Sequence, residues 1–417
     1  MRILLLNQFF WPDPAPTAQL LTDVARNFAE QGHQITVIHG SGSYVGQVGS
    51  LPPIENRPVN IPDQVRVIRV PALPFGHGKA AKLLSYATFY LGALFHSLRL
   101  PKPDIILCLT TPPFLSVIGL IVKKLRGTPY YIWEMDLYPE VAIDLGFLRP
   151  GSFLTRALAR LSKLARNNAE RVIALGECMR GRLISSGVPD AKIGVAENWA
   201  GGGRIHPSDR PPRLPIELLY SGNLGLAHDL HTLAGAMLQL RNDNRFRFTI
   251  AGGGPRRPLL EDFCRDHAIS AASFLAYQDP GDFARNLAAC DIGLVTQSSA
   301  CFGSIVPSKI YALMAAGRPI LYIGPKGTMP SLIVRNFQCG WQIECGDVKS
   351  LVDLLRFLAG CSEAIRGAGG RARKAFLENY DLPIGVARIA AILNVQPPVP
   401  SPQPVACTPY SSSASAL

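Results

Sequence analysis

Short apolar runs and longer stretches with a helical repeat alternate along the chain. An apolar run at 3–6, a helix-period pattern over 18–30 and a second run at 35–38 together read as a β-α-β unit. The alternation continues with strands at 65–70, 105–109, 130–133 and 172–175 and helices near 80–99, 115–125 and 154–168. Between 200 and 215, seven of sixteen residues are Gly or Pro, a composition that neither helix nor strand tolerates. Strands then return at 218–220, 246–251, 274–276, 292–295 and 320–323, with helices at 229–241, 259–267, 282–289 and 308–316. Continuous apolar strands joined by helical crossovers predict parallel sheets covered on both faces. The expectation is an α/β protein with two doubly wound, Rossmann-like domains, at 1–200 and 216–380, joined by a linker at 201–215. Substrates belong in the cleft between them, outside the carboxyl ends of the strands. From 396 to 417 the chain is a Pro/Ser-rich tail with too little apolar surface to order itself.

Composition narrows the class. With 417 residues, 47% of them hydrophobic and 17% charged, the chain is long enough for two buried cores, which excludes disorder, collagen and coiled coil for most of it. The net charge of +12 favours anionic partners, and residues 1–205 are the more basic half, with 22 Lys and Arg against 14 Asp and Glu. No dense basic block interleaved with aromatics is present, so nucleic acid is not expected. Nine scattered cysteines without a CxxC pair fit reduced thiols in a cytosolic protein, with neither zinc nor disulfides implied. Only four apolar residues follow Met1-Arg2, too few for a signal-peptide core. Two uncharged stretches, 83–98 and 105–122, invite reading as membrane spans. The first is shorter than the roughly 20 residues a span needs, and the second is interrupted by Pro112-Pro113, so both read as elements of a soluble fold.

Three glycine-containing turns in the second half follow predicted strands: Gly222 to Gly225 with Asn223 and Leu224 between, Gly252-Gly253-Gly254, and Gly303 ahead of Pro307-Ser308-Lys309. Glycine lets backbone N–H groups approach an anion, although it also simply makes turns. Pro307-Ser308-Lys309 adds a capping hydroxyl, free amides and an ammonium at one helix start, an arrangement suited to a diphosphate; a plain capped helix with a solvated lysine is the other reading. In the first half, 7–17 is a Pro-rich connection at the cleft end of the first strand, with Thr17 able to cap the following helix. Glu134, Asp136 and Glu140 follow another strand among aromatics and could orient a hydroxyl or act as a base, or form a surface acidic loop. His39 ends the second strand on the cleft side and is a candidate for the site; His33, at the far end, reads as structural. The chain has no DxD, GxxxxGK[ST], GxSxG or HExxH, and no GxGxxG after its first strand.

The order and spacing of NQFFWPD, AQLLTDVARNFAEQGHQITVI, WEMDLYPE, NWA, LLYSGNLG, FTIAGGGP, CDIGLV and VPSKIYALMAAGRPIL resemble glycosyltransferase family 4 of the GT-B fold. Within that family the similarity is greatest to the WbuB/WcaI-like bacterial enzymes of O-antigen, capsule and exopolysaccharide synthesis, and it covers about 1–393. The resemblance implies retaining, metal-independent transfer of a sugar from a nucleotide donor on the C-terminal domain to an acceptor on the N-terminal one. It also implies a helix at 381–395 returning to the first domain. It places Gly222, Asn223, Gly225, Gly253, Ser308 and Lys309 at the donor diphosphate and Tyr277 near the base. Thr17, Glu134 and Asp136 fall on the acceptor side, with Asp136, Lys309 and His39 as the groups closest to the chemistry. Ala312 stands where many members carry a ribose-binding Glu, and Asn223 and Ala227 stand near positions that are often basic. The expected partners are a nucleotide sugar, a lipid-linked or growing glycan and an anionic membrane surface, with no cofactor or metal. A nucleotide-sugar epimerase of the same fold and a non-catalytic nucleotide-sugar-binding protein are the alternatives. For the membrane, the predicted helix carrying Tyr86, Phe89, Tyr90 and Phe95 between Lys79, Lys82, Arg99 and Lys102 is either a surface-seeking element or a core helix.

Overall fold

The computed structural model describes residues 1–13, 15–41, 62, 64–71, 79–203, 205–208, 210–276 and 280–395, with the side chains of 79–83 and 280 left out of account. In the first half the order is β1 (Arg2–Leu6), α1 (Pro16–Glu30), β2 (Gln34–Gly40), β3 (Val65–Val70), α2 (Lys79–Arg99), β4 (Ile105–Leu109), α3 (Ser116–Arg126), β5 (Tyr130–Trp133), α4 (Glu140–Asp144), α5 (Phe153–Asn168), β6 (Val172–Ala174), α6 (Glu177–Ser185) and β7 (Ile193–Val195). The second half continues with β8 (Ile216–Ser221), α7 (His231–Gln239), β9 (Phe246–Ala251), α8 (Arg257–Asp266), β10 (Ala272–Leu275), α9 (Pro280–Ala289), β11 (Ile292–Thr296), α10 (Lys309–Ala315), β12 (Ile320–Ile323), α11 (Met329–Phe337), β13 (Gly340–Ile343), α12 (Val348–Ala359), α13 (Ser362–Asn379) and α14 (Leu382–Leu393).

These strands form two parallel sheets. One has seven strands in the order β3-β2-β1-β4-β5-β6-β7 and the other six in the order β10-β9-β8-β11-β12-β13. The fully buried β4 and β11 read as unbroken apolar runs because both faces of each sheet are covered. Strand order reverses between β1 and β4 and again between β8 and β11. Right-handed crossovers therefore place α1 on one face of the first sheet and α2 and α3 on the other, where α5 packs beside α3. Each reversal opens a crevice at the carboxyl ends of its strands.

Local chemistry sets the helix ends. Pro16 occupies the first turn of α1, Ser152 caps α5 through the Thr155 amide, and α3 stops at Gly127, whose φ is 65°. Thr17 therefore lies inside α1 and does not cap it; Ala15 precedes the helix, with its amide donating to Asp13 Oδ1 at 2.8 Å. The apolar stretch 83–98 lies within α2, while 105–122 divides into β4 and α3. Among the described residues no helix is long and apolar enough to cross a membrane. Phe89 of α2 is fully buried, Tyr90 donates its hydroxyl to the Pro113 carbonyl, and Arg99 lies 4.4 Å from the Phe95 ring centre. Phe89 and Tyr90 thus pack on the core, as a helix on a parallel sheet requires, whereas Tyr86 is half-buried and Phe95 is 49% exposed. The side chains of Lys79 and Lys82 lie outside the described residues.

The two halves meet in a shared seam. Asp136 bridges Ile305 in antiparallel fashion, and the Leu137 amide donates to Ser304 O at 2.9 Å. At the opposite crossing, Ala200 bridges Asp381, and α14 packs on α1. Trp199 stacks on Trp133 at 5.5 Å and donates to Asp23 Oδ2 at 3.1 Å.

Candidate functional site

At the carboxyl end of the second sheet, β8 and β9 run into the two glycine turns. The Gly222 amide donates to Ala251 O at 2.8 Å and the Leu224 amide to Gly253 O at 2.7 Å, which zips the turns together. Gly252 has φ 121°, and a Cβ there would sit 2.3 Å from the Gly222 carbonyl oxygen, so only glycine fits. Asn223 lies against Gly254, while Gly225 faces the His228 ring edge.

Lys309 reaches the same place from the start of α10. Its Nζ lies 3.6 Å from the Tyr220 ring centre, close to Gly222, and is buried without a hydrogen-bond acceptor. The aromatic face supplies part of the compensation a cation needs. Burial still holds the ammonium well below its ordinary range, the signature of a cation that lacks an anion. The alternative reading of a solvated lysine is therefore set aside. The expectation of a capping serine is wrong: Ser308 precedes a helix of seven residues in helical backbone geometry, and its hydroxyl makes no cap.

His228 completes this cluster. Its Nδ1 is 2.8 Å from Thr296 O, and its ring meets Tyr220 edge-on at 5.8 Å. Burial, helped by the charge of Lys309, pushes its pKa down to about 3, so the ring is neutral at pH 7. With Nδ1–H donating to the carbonyl, Nε2 is left as an acceptor. Arg256 donates to His228 O at 2.8 Å and fixes the turn. Sequence reasoning missed His228, Tyr220 and Arg256; a histidine six residues past Gly222 in the same turn was the available signal. Tyr277 lies outside the described residues.

Across the seam, the carboxyl ends of β2, β1, β4 and β5 line up. The Gly40 amide donates to Gln8 O at 2.9 Å and the Gln8 amide to Thr111 O at 2.8 Å. Thr110 Oγ1 accepts from the Met135 and Asp136 amides at 3.0 and 3.3 Å. Both side-chain polar atoms of Gln8 are buried without partners, an arrangement expected where a ligand rather than the protein satisfies them. His39 packs its ring against Phe10 at 5.8 Å; burial, then the Arg69 charge, lower its pKa to about 4, so it too is neutral.

The three carboxylates part company. Arg166 holds Glu134 through Nε and Glu140 through Nη1, each at 2.8 Å, so Glu134 is the buried half of an ion pair and not a free acceptor-side group. Asp136 has no such cation. Burial, reinforced by the charge of Glu134, raises its pKa to about 6, and it stands in the seam, where its backbone bridges Ile305, four residues before Lys309. Among the described residues no group of three or more His, Cys, Asp or Glu could hold a metal ion.

Two family models match in the same order as the two sheets: a glycosyl transferase 4-like domain over residues 17–199 and glycosyl transferases group 1 over 215–360. The chain belongs to the family 4 glycosyltransferases of the GT-B fold. This glycosyltransferase is 28% identical over 308 residues to the probable glycosyltransferase WbjE of Pseudomonas aeruginosa, covering 70% of the chain and 75% of that protein. It is 23% identical over 339 residues to WcaI of Escherichia coli K12, a putative colanic acid biosynthesis glycosyl transferase, covering 76% and 82%. Among solved structures, Anabaena HepE in complex with UDP aligns with TM-score 0.70 and 16% identity over 95% of this chain and all of that one. HepE has also been solved with UDP-glucose.

Proposed function

We propose that this glycosyltransferase takes a sugar from a UDP-linked donor held on residues 216–380 and transfers it, with retention and without a metal, to a lipid-linked or growing glycan held on residues 1–200. The setting is cell-surface polysaccharide synthesis at the cytoplasmic face of the membrane, with 201–215 as the hinge. The observation that carries this reading is the buried, unpartnered Nζ of Lys309 beside the paired glycine turns. Cleavage of the sugar–phosphate bond develops negative charge on the departing diphosphate. A preorganised cation and backbone amides stabilise that charge, each such contact typically being worth about 10²- to 10³-fold in rate. Lys309 supplies the positive charge that a metal ion otherwise would. UDP as the nucleotide is supported by its presence in HepE, and the polysaccharide context by the description of WcaI. Asp136 orients the acceptor hydroxyl, with His39 and Gln8 beside it, and the leaving diphosphate takes the acceptor proton.

The test is incubation with a panel of UDP-sugars and a detergent-solubilised lipid-linked acceptor, with and without EDTA, followed by assignment of the new anomeric centre by NMR. Product with the donor's anomeric configuration, formed equally in EDTA, is expected. Inversion, or activity lost in EDTA and restored by magnesium or manganese, contradicts the mechanism. Altered sugar nucleotide formed from donor alone would make the protein an epimerase, and donor binding with no turnover at all would make it a binding protein, the reading that Ala312 favours.

A further inference from the structure

Gln297 follows the last residue of β11 at the carboxyl end of the second sheet and is fully buried. A buried carboxamide is costly unless its polar atoms are used, and here both donors and the acceptor are engaged. Nε2 donates to Cys301 O at 2.9 Å and to Ile305 O at 3.3 Å, while Oε1 accepts from the Tyr322 hydroxyl at 3.0 Å. Only an NH2 group can serve two carbonyls, so the partners fix the orientation of the amide. The main chain is held as well: the Gln297 amide donates to Ile323 O at 2.9 Å, and its carbonyl accepts from the Cys345 thiol at 3.3 Å. Tyr322 in turn lies 2.7 Å from Thr328 Oγ1, at the start of α11.

What this side chain ties down is the loop 301–305, which touches the first domain and leads to the donor side. Its Ser304 carbonyl accepts from the Leu137 amide, Ile305 bridges Asp136, and a Cβ added at Gly303 would sit 2.6 Å from the Cys178 carbonyl oxygen. The Cys301 thiol feels the charges of Asp144 and Asp136 from across the seam. Lys309 comes four residues after Ile305. The same network reaches a second contact, because Met329, next to Thr328, closes on Gly176, where a Cβ would meet its Sδ at 2.8 Å.

We infer that Gln297 is a positioning residue for sugar transfer: its carboxamide clamps the loop 301–305 at both ends and so sets Asp136 and Lys309 in register across the seam. The inference rests on the proposed roles of those two residues. Lys309 stays anchored on α10 and against Tyr220 whatever the loop does, so the clamp governs the approach of the acceptor side more than the hold on the donor. The titratable groups that face Asp136 are Glu134 and Tyr138 on its own segment and Cys301 on the clamped loop. Releasing that loop admits water and relieves part of the desolvation that holds the carboxyl high. A clamp that served stability alone would change the melting temperature and leave the chemistry as it was.

The experiment compares the full-length wild type with Gln297→Met, which keeps the length of the side chain and removes its hydrogen bonds, and with Tyr322→Phe, which removes one of them. Leu351→Ala, a truncation in the core beneath α12, is the control for lost stability. UDP affinity, transfer kinetics with a solubilised acceptor and backbone hydrogen exchange are measured for each. In Gln297→Met, UDP affinity and donor KM should stay within a few fold of wild type, while kcat falls on the order of 10²-fold, the cost of about 1 Å of misplacement between reacting groups. The inflection expected near pH 6 should move down toward the ordinary carboxylate value of about 3.9. The Leu137 amide, bonded to the clamped loop, should exchange faster, while the Leu224 amide, bonded to Gly253 O, keeps its rate. Tyr322→Phe should show the same changes to a smaller degree, and it carries the test if the methionine variant does not fold. Leu351→Ala should melt lower with kcat and inflection unchanged. Wild-type kcat and inflection in Gln297→Met, whatever its melting temperature, overturn the inference, as does behaviour no different from that of Leu351→Ala. If wild type transfers no sugar, the proposed function falls, and the exchange of Leu137 decides the clamp alone: unchanged protection in Gln297→Met overturns it.

Discussion

Glu134 and Asp136 are two residues apart, of the same chemical type, and on the same loop, yet the fold gives them opposite fates. Arg166, 32 residues along the chain, clamps Glu134, while Asp136 is half-buried without a cation, and the desolvation raises its pKa to about 6. A raised carboxylate is protonated below that value. If the ionised form orients the acceptor, the transfer rate should fall as pH drops through about 6, and Asp136→Asn should remove that inflection while lowering the rate by roughly 10²- to 10⁴-fold. Glu134→Gln should act on stability instead. Removing one partner of a buried pair typically costs about 3–5 kcal/mol, read as a lower denaturation midpoint with a pH profile that keeps its inflection. An unchanged profile in Asp136→Asn would remove that residue from the chemistry.

At the scale of elements, the paired glycine turns after β8 and β9 form the floor on which Lys309 lies. Gly252→Ala would force an L residue to φ 121° and press its Cβ onto the Gly222 carbonyl. A loss of at least about 1–3 kcal/mol and of UDP binding is expected. Gly203→Ala, with open space around it, should be neutral, and thermal melts with and without UDP separate the two variants. The strands and the long amphipathic helices were readable in the sequence because their periodicity is local: β3, β4, β5, β9 and β12 fall where the apolar runs put them. Helix α6 was not, since Cys178, Met179 and Leu183 mark no continuous apolar stripe, and the three-residue β7 is too short to stand out. The position of Lys309 at a helix start was equally visible. Its burial was not, because the covering ring, Tyr220, comes from a strand almost ninety residues earlier.

Taken whole, the molecule carries its candidate groups on two sheets whose crevices meet at the Asp136–Ile305 seam, one side offering a buried cation and glycine turns, the other a raised carboxylate and an unsatisfied glutamine. The α/β class with two doubly wound sheets followed from patterning alone, whereas the pairing of Lys309 with Tyr220 and His228 required the chain to be folded. The central claim is that Lys309 waits for the donor's diphosphate. Isothermal titration with UDP at pH 9, in two buffers of different ionisation enthalpy, tests it most directly. Burial holds the Lys309 pKa well below 10.5, and the arriving UDP trianion raises it, so wild type should bind with net proton uptake. Lys309→Met should lose at least about 100-fold in affinity together with the proton uptake. The ligand-free variant should melt no lower than wild type, because a buried ammonium without an anion is removed. UDP binding to the methionine variant within a few fold of wild type, with the same proton uptake, would contradict the account.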